Sequence, residues 1–187
     1  GLTRPELSVL VAYGKMVLKQ QLVTDEIAND EFHAKQLVEY FPSALRRNYK
    51  DQMVNHPLRA EIIATALANQ MVNEMGCNFV TRLQEETGAS VVDIANAYSA
   101  AREIFDLETI LKQTRELDNI ATAQAQYEIM FYVRRALRRI ARWLLRNRSG
   151  KCTVGELIAI YKQDVNIITE TLDTMLVESE VEEHNEL

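Results

Sequence analysis

Apolar residues with helical spacing run through almost the whole chain, and this pattern constrains the fold more than any other feature. They recur every three or four positions, as in the series Ile62, Ile63, Ala66, Leu67 and Met71. Such spacing places them on one face of an α-helix, and no segment alternates with the period of two that marks a strand. The 187 residues include only three prolines and six glycines, so few positions force a helix to end. The sequence therefore predicts an all-α fold, an irregular bundle of about eight to ten helices without a sheet.

Capping residues mark several helix ends. Thr3 with Glu6 predicts a capping box on the first helix, and Ser90 predicts the start of a later helix. Gly76 and Gly88 each follow an apolar series and are predicted to cap the preceding helix in a left-handed conformation. Residues 24–30 are predicted to be a polar break between helices.

Two helices are predicted to carry long apolar faces. In the first helix, the residues that share a face are Leu7, Leu10, Val11, Gly14, Val17 and Leu18. In the longest helix, about residues 121–147, the residues expected to point inward are Tyr127, Met130, Phe131, Leu137, Ile140, Ala141 and Leu144.

Three segments are predicted along the chain. Residues 1–148 form the main helical bundle, and Ser149 with Gly150 ends its last helix. Residues 149–178 form a C-terminal helical pair, about 154–163 and 165–178, and the sequence leaves open whether this pair packs on the bundle. Residues 179–187 form an acidic tail that is predicted to be disordered.

Charge is concentrated in two adjacent stretches, although the net charge is only −6. Residues 134–151 contain eight basic and no acidic side chains, whereas residues 152–187 contain one basic and nine acidic ones. This arrangement favours pairing within the protein or between subunits over binding to nucleic acid.

The composition also bears on where the protein resides. Cys77 and Cys152 lie far apart and form no CxxC motif, which argues against a disulfide framework and favours a reducing, cytoplasmic environment. No apolar run approaches the length of a membrane span, and no signal peptide is recognisable. Because the chain begins at Gly1 rather than Met, we expect a piece of a longer protein.

No complete catalytic, cofactor or metal site is predicted. The glycines lack the spacing of a dinucleotide-binding loop, and Gly150 with Lys151 is interpreted as a helix-breaking turn. His33, His56 and His184 are scattered, without the spacing of a metal site. Cys77 is expected to be a buried packing residue.

An arginine-rich helix is the most distinctive local feature. Its basic residues are Arg134, Arg135, Arg138, Arg139, Arg142, Arg146 and Arg148. Arginine and tryptophan are enriched at interaction hot spots, so Arg134, Arg138, Arg142 and Trp143 are the candidate contact residues.

Five blocks, taken together and in order, carry a family resemblance: Gly1–Tyr13, Glu61–Asn69, Phe79–Ser90, Ala97–Glu103 and Arg142–Asn147. They resemble the C-terminal region of the large NAD-specific glutamate dehydrogenases of bacteria, over about residues 1–148. The resemblance implies a parent enzyme that oxidatively deaminates L-glutamate to 2-oxoglutarate and ammonia and reduces NAD. It places the catalytic lysine and aspartate and the NAD-binding domain upstream, so no catalytic or cofactor residue is carried over to this chain.

Because the chain has no site motif and its charge is polarised over residues 134–187, we expect a module that is inactive alone and that serves scaffolding, assembly or regulation. Its expected partners are the upstream catalytic domain and further copies in a homo-oligomer. The alternative is a stand-alone binding module that uses the Arg134–Arg148 helix on nucleic acid or an acidic protein. That alternative predicts oligonucleotide affinity with a steep salt dependence. A small helical enzyme would instead need a bound metal or cofactor.

Overall fold

The computed structural model describes residues 1–148 and 150–185, with side chains described as far as Leu172. In that part of the chain there are ten α-helices and no strand, as the sequence predicts. The helices are α1 Arg4–Leu22, α2 Asp25–Asn29, α3 Glu31–Tyr40, α4 Ser43–Val54, α5 Arg59–Met75, α6 Phe79–Thr87, α7 Val91–Ile104, α8 Leu107–Glu116, α9 Ala123–Asn147 and α10 Val154–Asn185.

The predicted caps are present at the helix ends. The Thr3 N–H donates to the Glu6 carboxylate at 2.7 Å, and the Asp93 N–H donates to the Ser90 hydroxyl at 3.1 Å. Gly88 adopts the left-handed conformation at the end of α6, with φ 69°. Gly76 also has a positive φ, of 85°, but its ψ of 167° makes it extended rather than left-handed helical.

Helix α7 lies at the centre of the bundle. Every residue from Asp93 to Ala101 is buried, because α7 is covered by α9 on one side and α10 on another, with α1, α5, α6 and α8 around it. A helix that is surrounded in this way carries apolar or small residues on all its faces. Any functional surface of the described chain must therefore lie on the helices around α7.

The predicted polar break at residues 24–30 is wrong, because α2 forms there. The Thr24 hydroxyl accepts the Ile27 N–H at 3.3 Å, which caps this short helix. Ile27 and Ala28 are buried in the core. Burial of these two residues against α5 outweighs the polar character of the segment.

Most of the predicted apolar face of α1 is exposed. Leu18 and Leu22 are buried against α5, whereas Leu10 is 55% exposed. The other members of the predicted face that are exposed are Leu7, Val11 and Val17. Among the described residues, only the C-terminal half of α1 packs on the bundle, and within the predicted face only Leu18 is buried there. The prediction therefore fails in the first half and holds only in part in the second.

The first half of α9 is exposed in the same way. Leu137, Ala141 and Leu144 are buried as predicted, because this part of α9 packs along α7. Tyr127 is 72% exposed, and Met130 and Phe131 are also exposed, contrary to the prediction. These residues still share one apolar face of α9, but no described element covers that face.

The C-terminal pair is one helix instead of two. Helix α10 runs without interruption from Val154 to Asn185. From Leu157 to Asn185 the sequence contains no glycine or proline that would end it. Val154 and Leu157 are buried, so the start of α10 packs on the bundle. The predicted disordered tail, residues 179–187, lies outside the described side chains and stays a prediction.

In the part of the chain that the structure describes, no helix combines the length and the apolar character that crossing a bilayer demands.

Candidate functional site: the arginine face of α9 and the adjacent groove

Two of the predicted contact arginines bind residues of their own chain. Arg134 donates from Nε to the Glu74 carbonyl oxygen at 2.8 Å, which ties α9 to the end of α5. Arg142 donates to the Glu86 carboxylate at 3.4 Å, and Arg146 donates to the Glu86 carbonyl at 3.2 Å. These contacts join α9 to the end of α6.

Arg148 makes the shortest ion pair of the arginine-rich stretch. Its guanidinium donates to the Asp93 carboxylate at 2.6 Å, and both side chains are largely buried. The hydrogen bond from Arg148 lowers the pKa of Asp93 from 3.8 to about 2. Because Asp93 also belongs to the cap of α7 with Ser90, this pair fixes the end of α9 to the start of the central helix.

The remaining arginines have fewer contacts. Arg138 is half-buried, and no hydrogen bond or ion pair joins it to another described residue. Arg139 is exposed and is likewise unpaired among the described side chains. Arg135 lies over the Phe131 ring, 5.6 Å from its centroid, in a cation–π contact. The cationic surface that α9 presents to solvent is therefore smaller than its seven arginines suggest.

The expected pairing of this stretch with the acidic C-terminal section differs from the pairing in the structure. The described partners are Glu86 and Asp93, which lie on α6 and α7. Lys151 pairs with Glu26 at 3.4 Å on an exposed surface. The acidic residues beyond Leu172 lie outside the described side chains.

Trp143 forms one wall of an apolar groove. Its ring meets the Tyr161 ring edge-on, with centroids 5.2 Å apart and an interplanar angle of 72°. The groove has a volume of about 630 Å³, and its apolar lining residues are Ile104, Phe105, Ile140, Trp143, Tyr161 and Ile168. We call it the Trp143 groove. Arg139, Arg142 and Arg146 also line it together with Asp164, so the apolar groove has three basic neighbours and one acidic neighbour.

The structure thus brings together only part of the predicted contact set. Arg142 and Trp143 line the Trp143 groove, whereas Arg134 and Arg138 do not. Sequence reasoning missed Phe105 and Tyr161, which complete the groove from α7 and α10. Their aromatic side chains at the ends of two apolar series were the available signal, but the meeting of α7, α9 and α10 was not visible in the sequence.

A polar cluster on the other side of α7 was also missed. Arg102 lies 3.0 Å from the Glu74 carboxylate and donates to Glu108 at 2.6 Å. The Tyr98 hydroxyl donates to Glu74 at 2.5 Å, and burial raises the pKa of Tyr98 above its ordinary value. One arginine thus faces two carboxylates, and these ion pairs join α5, α7 and α8.

Two of the three histidines have structural roles. His33 is buried, its Nε2 lies 3.2 Å from the Asn96 side-chain oxygen, and burial lowers its pKa. His56 accepts the Leu58 N–H on Nδ1 at 3.1 Å in the turn that precedes α5. His184 lies outside the described side chains. Among the described residues, no group of three His, Cys, Asp or Glu side chains could hold a metal ion.

The expectation that Cys77 is buried is wrong. The thiol is exposed just after Gly76, where the chain turns between α5 and α6. Cys77 and Cys152 are both free thiols. Gly150 has a φ of 80°, in agreement with its interpretation as a turn residue rather than part of a phosphate loop.

Comparison with known proteins gives one consistent family. The family model described as "Glutamate dehydrogenase, C-terminal" matches residues 1–187, including the part beyond Arg148 that showed no resemblance by motif. The NAD-specific glutamate dehydrogenase of Halomonas elongata is 44% identical over 153 residues, which are 82% of this chain and 10% of that protein.

Two further relatives carry the same name. The NAD-specific glutamate dehydrogenase of Pseudomonas aeruginosa is 38% identical over 159 residues, 85% of this chain and 10% of that protein. The one of Mycobacterium tuberculosis is 32% identical over 176 residues, 94% of this chain and 11% of that protein. This chain therefore spans about a tenth of the length of the relatives that it matches. The match over all 187 residues shows that the chain belongs to the family of glutamate dehydrogenase C-terminal regions.

Proposed function

We propose that this chain is a non-catalytic helical module that scaffolds a large NAD-dependent glutamate dehydrogenase. The observation that carries the proposal is the first half of α1, which is apolar on several sides and exposed. Its exposed apolar residues are Leu7, Val9, Leu10, Val11 and Tyr13, and Met16 and Val17 continue the exposed surface past the middle of the helix. A helix that is apolar around most of its circumference is normally buried. The rest of the longer enzyme is the natural cover for it.

The parent enzyme, in this proposal, converts L-glutamate and NAD to 2-oxoglutarate, ammonia and NADH. The names of the three relatives support NAD as its cofactor. Hydride transfer and NAD binding belong to the remaining nine-tenths of such a protein. In this proposal, this chain on its own neither binds NAD nor transfers hydride. Its two unpaired cysteines support a reducing, cytoplasmic setting.

The predicted contact residues contribute unequally in this proposal. Arg134 and Arg142 already bind Glu74 and Glu86, so they hold α9 in place within the module. Arg138 and Trp143 are more available for contact with a neighbouring domain or subunit, because Arg138 is unpaired among the described residues and Trp143 is 49% exposed. The internal contacts of the other arginines also leave few cations for phosphates, so the oligonucleotide-binding alternative has less support.

The test uses the full-length enzyme that carries this chain. Glutamate-dependent NADH formation and light-scattering mass are measured for the intact enzyme and for a form without residues 1–187. The second variant is Leu10→Glu with Tyr13→Glu, which puts two charges on the exposed face of α1. The matched control is Gln20→Glu, an exposed position near the other end of the same helix.

We expect the deletion and the double variant to lower activity or assembly several-fold, and the control to leave both unchanged. A full-length enzyme that makes no NADH from glutamate would overturn the assignment of the parent activity. An active enzyme that tolerates both the deletion and the double variant would overturn the scaffolding role.

A further inference from the structure

Six exposed residues share the side of α9 that points away from the bundle. They are Gln124, Glu128, Phe131, Tyr132, Arg135 and Arg139. At 3.6 residues per turn they fall within an arc of about 100°, opposite the buried residues Leu137, Ala141 and Leu144. Phe131 is 57% exposed and Tyr132 is 66% exposed, and aromatic residues beside arginines are typical of interaction hot spots. We call this surface the outer α9 face.

The outer α9 face is symmetric about its midpoint, which lies between Phe131 and Tyr132. Glu128 and Arg135 lie at equal distances on either side of that midpoint. Gln124 and Arg139 also lie at equal distances from it, further out along the helix. The side-chain oxygens are therefore on the N-terminal side of the midpoint, and the guanidinium groups are on the C-terminal side.

These polar groups keep binding capacity that their own chain does not use. The Gln124 amide donates to the Glu128 Oε1 at 2.8 Å, and no ion pair joins Glu128 to another described residue. Arg135 lies over its own Phe131 ring, and Arg139 is unpaired among the described side chains. The Glu128 carboxylate and both guanidinium groups can therefore accept a partner of opposite charge without giving up an ion pair.

We propose that two copies of this chain pair through the outer α9 face, with the two helices antiparallel and a two-fold axis between Phe131 and Tyr132. In that register Glu128 of each copy meets Arg135 of the other in an ion pair. The Gln124 side-chain oxygen of each copy accepts from the guanidinium of Arg139 of the other. Phe131 of each copy packs against Tyr132 of the other at the axis.

The charges favour this direction over a parallel pair. In a parallel pair, equivalent arginines would lie side by side. In the antiparallel register the two copies of Arg135 are offset by seven positions, about 10 Å along the helix. Repulsion over that distance is largely screened at physiological salt, where the Debye length is about 8 Å.

A second copy is a better occupant of this face than an unrelated segment. A surface that binds a different segment has to match only that segment, whereas a two-fold contact requires a patch that matches itself. The outer α9 face meets that requirement at all three of its residue pairs. The proposal deepens the proposed function, because it names one contact in the assembly that the module supports.

The pairing acts together with other contacts of the parent enzyme. A single pair of helix faces is smaller than a standard interface, which buries about 800 Å² on each partner. The test is therefore made in the full-length enzyme, where the rest of the chain contributes to association.

The test is cross-linking between two differently tagged copies that are co-expressed. One copy carries Gln124→Cys and the other carries Arg139→Cys, so a bond between these positions can form only between copies. After purification through both tags, a short bismaleimide is added. The linked peptides are identified by mass spectrometry, which separates them from links through native cysteines.

The control places Gln124→Cys in both copies. In the antiparallel register the two cysteines are separated by 15 positions, about 22 Å along the helix, whereas a parallel pair would bring them together. We expect the 124–139 product to exceed the 124–124 product several-fold. Absence of a 124–139 product, or an equal 124–124 yield, overturns the proposal, including when Gln124→Cys links to another part of the enzyme.

A charge swap tests the central ion pair. Glu128→Arg in both copies should lower the 124–139 yield several-fold, and so should Arg135→Glu, because each change puts like charges opposite one another. The two changes together should restore most of the yield, because the ion pairs form again with reversed sign. Residues seven positions apart on a helix do not contact each other, so a pair within one chain cannot account for the recovery. A double variant as poor as the single ones overturns the register.

The outcome is separable from that of the proposed function. The double variant of α1 tests packing against the rest of the enzyme and leaves α9 unchanged. Cross-linking through α9 tests contact between copies and needs no NADH formation as a readout.

Discussion

At the residue scale, Asp93 connects the start of α7 to the end of α9 through one carboxylate. It accepts the Ser90 N–H at 3.4 Å at the start of α7 and the Arg148 guanidinium at 2.6 Å at the end of α9. Its pKa falls from 3.8 to about 2, chiefly through the hydrogen bond from Arg148. A shift of this size corresponds to about 2 kcal/mol of stability at neutral pH.

Asp93→Asn should lower the free energy of unfolding of this chain by about 2 kcal/mol at pH 7. The folded-state pKa is depressed, so the contribution is fully present above pH 3.8 and is lost as the pH falls through about 2. The difference between the two proteins should therefore shrink in acid, as measured by urea denaturation at several pH values.

The matched control is Glu26→Gln, which breaks the exposed pair with Lys151. Surface ion pairs contribute about 0–1 kcal/mol, so this variant should lose less. Equal losses for the two variants would contradict the role of Asp93.

His33 is predicted to make stability depend on pH in a second range. It is fully buried, its Nδ1 has no hydrogen-bond partner, and burial lowers its pKa below 6.5. The unfolded chain then binds more protons than the folded chain below pH 6.5, so stability should fall as the pH drops from about 6.5. Thermal melting between pH 8 and pH 5 measures this loss.

His33→Leu should remove that pH dependence, at a constant cost of about 1–3 kcal/mol because Asn96 loses its buried partner. His56→Gln, at a position outside the core, should retain the dependence. If His33→Leu retains it as well, another group is responsible.

At the element scale, each long surface helix is half packed and half free. The C-terminal halves of α1 and α9 are buried against α5 and α7, and their first halves are exposed. Helix α10 is packed at its start, and its described side chains from Asn166 to Leu172 are exposed. The amphipathic pattern is continuous along each helix, so the exposed halves support the proposal that neighbours outside this chain cover them.

The contact between α1 and the turn after α5 brings Gly14 close to Cys77. A Cβ at this position would lie 3.4 Å from the Cys77 sulfur and 3.6 Å from its Cβ, which is ordinary contact. Gly14→Ala should therefore be neutral or stabilising by up to about 1 kcal/mol, since alanine favours a helix more than glycine does. Gly14→Leu should push α1 away from Cys77 and lower the melting temperature.

The rate at which a maleimide labels Cys77 gives a second measure of how closely α1 packs against this turn. The thiol should react faster in Gly14→Leu than in Gly14→Ala, because the helix beside it is displaced. Equal melting temperatures for the two variants would show that the contact is looser than the structure indicates.

At the scale of the whole molecule, the exposed apolar residues form contiguous surfaces and are not only isolated single residues. Among the described side chains, the exposed apolar surface is largest in the first half of α1, and further exposed apolar residues lie on the first half of α9 and at Ile167, Ile168 and Leu172 of α10. Contiguous apolar patches on a soluble protein mark interaction sites. This distribution agrees with a chain that makes up about a tenth of its relatives.

Hydrogen exchange can compare the chain alone with the chain inside its full-length enzyme. Amides in the first half of α1 should exchange markedly more slowly in the full-length enzyme, because the apolar surface around them is covered. Amides near Leu18 and Leu22 serve as the internal control, since they are already packed in this chain. Unchanged exchange in the first half of α1 would contradict docking through this helix.

The sequence by itself determined the helical fold, most helix boundaries and the family. Caps such as Ser90 and Gly88 and the spacing of apolar residues act over a few positions, so they can be read locally. The sequence also indicated where the arginines cluster, because they follow one another on a single helix.

Only the tertiary structure decided which faces are covered and which charges are paired. Arg148 and Asp93 are separated by 55 positions, and Trp143 meets Tyr161 only because α9 and α10 approach each other around α7. An amphipathic helix shows that it has an apolar face, but the spacing is the same whether that face meets its own core or a neighbouring molecule. The predictions for α1 and α9 failed for that physical reason: periodicity reports the need for burial, and the packing of distant segments decides where burial occurs.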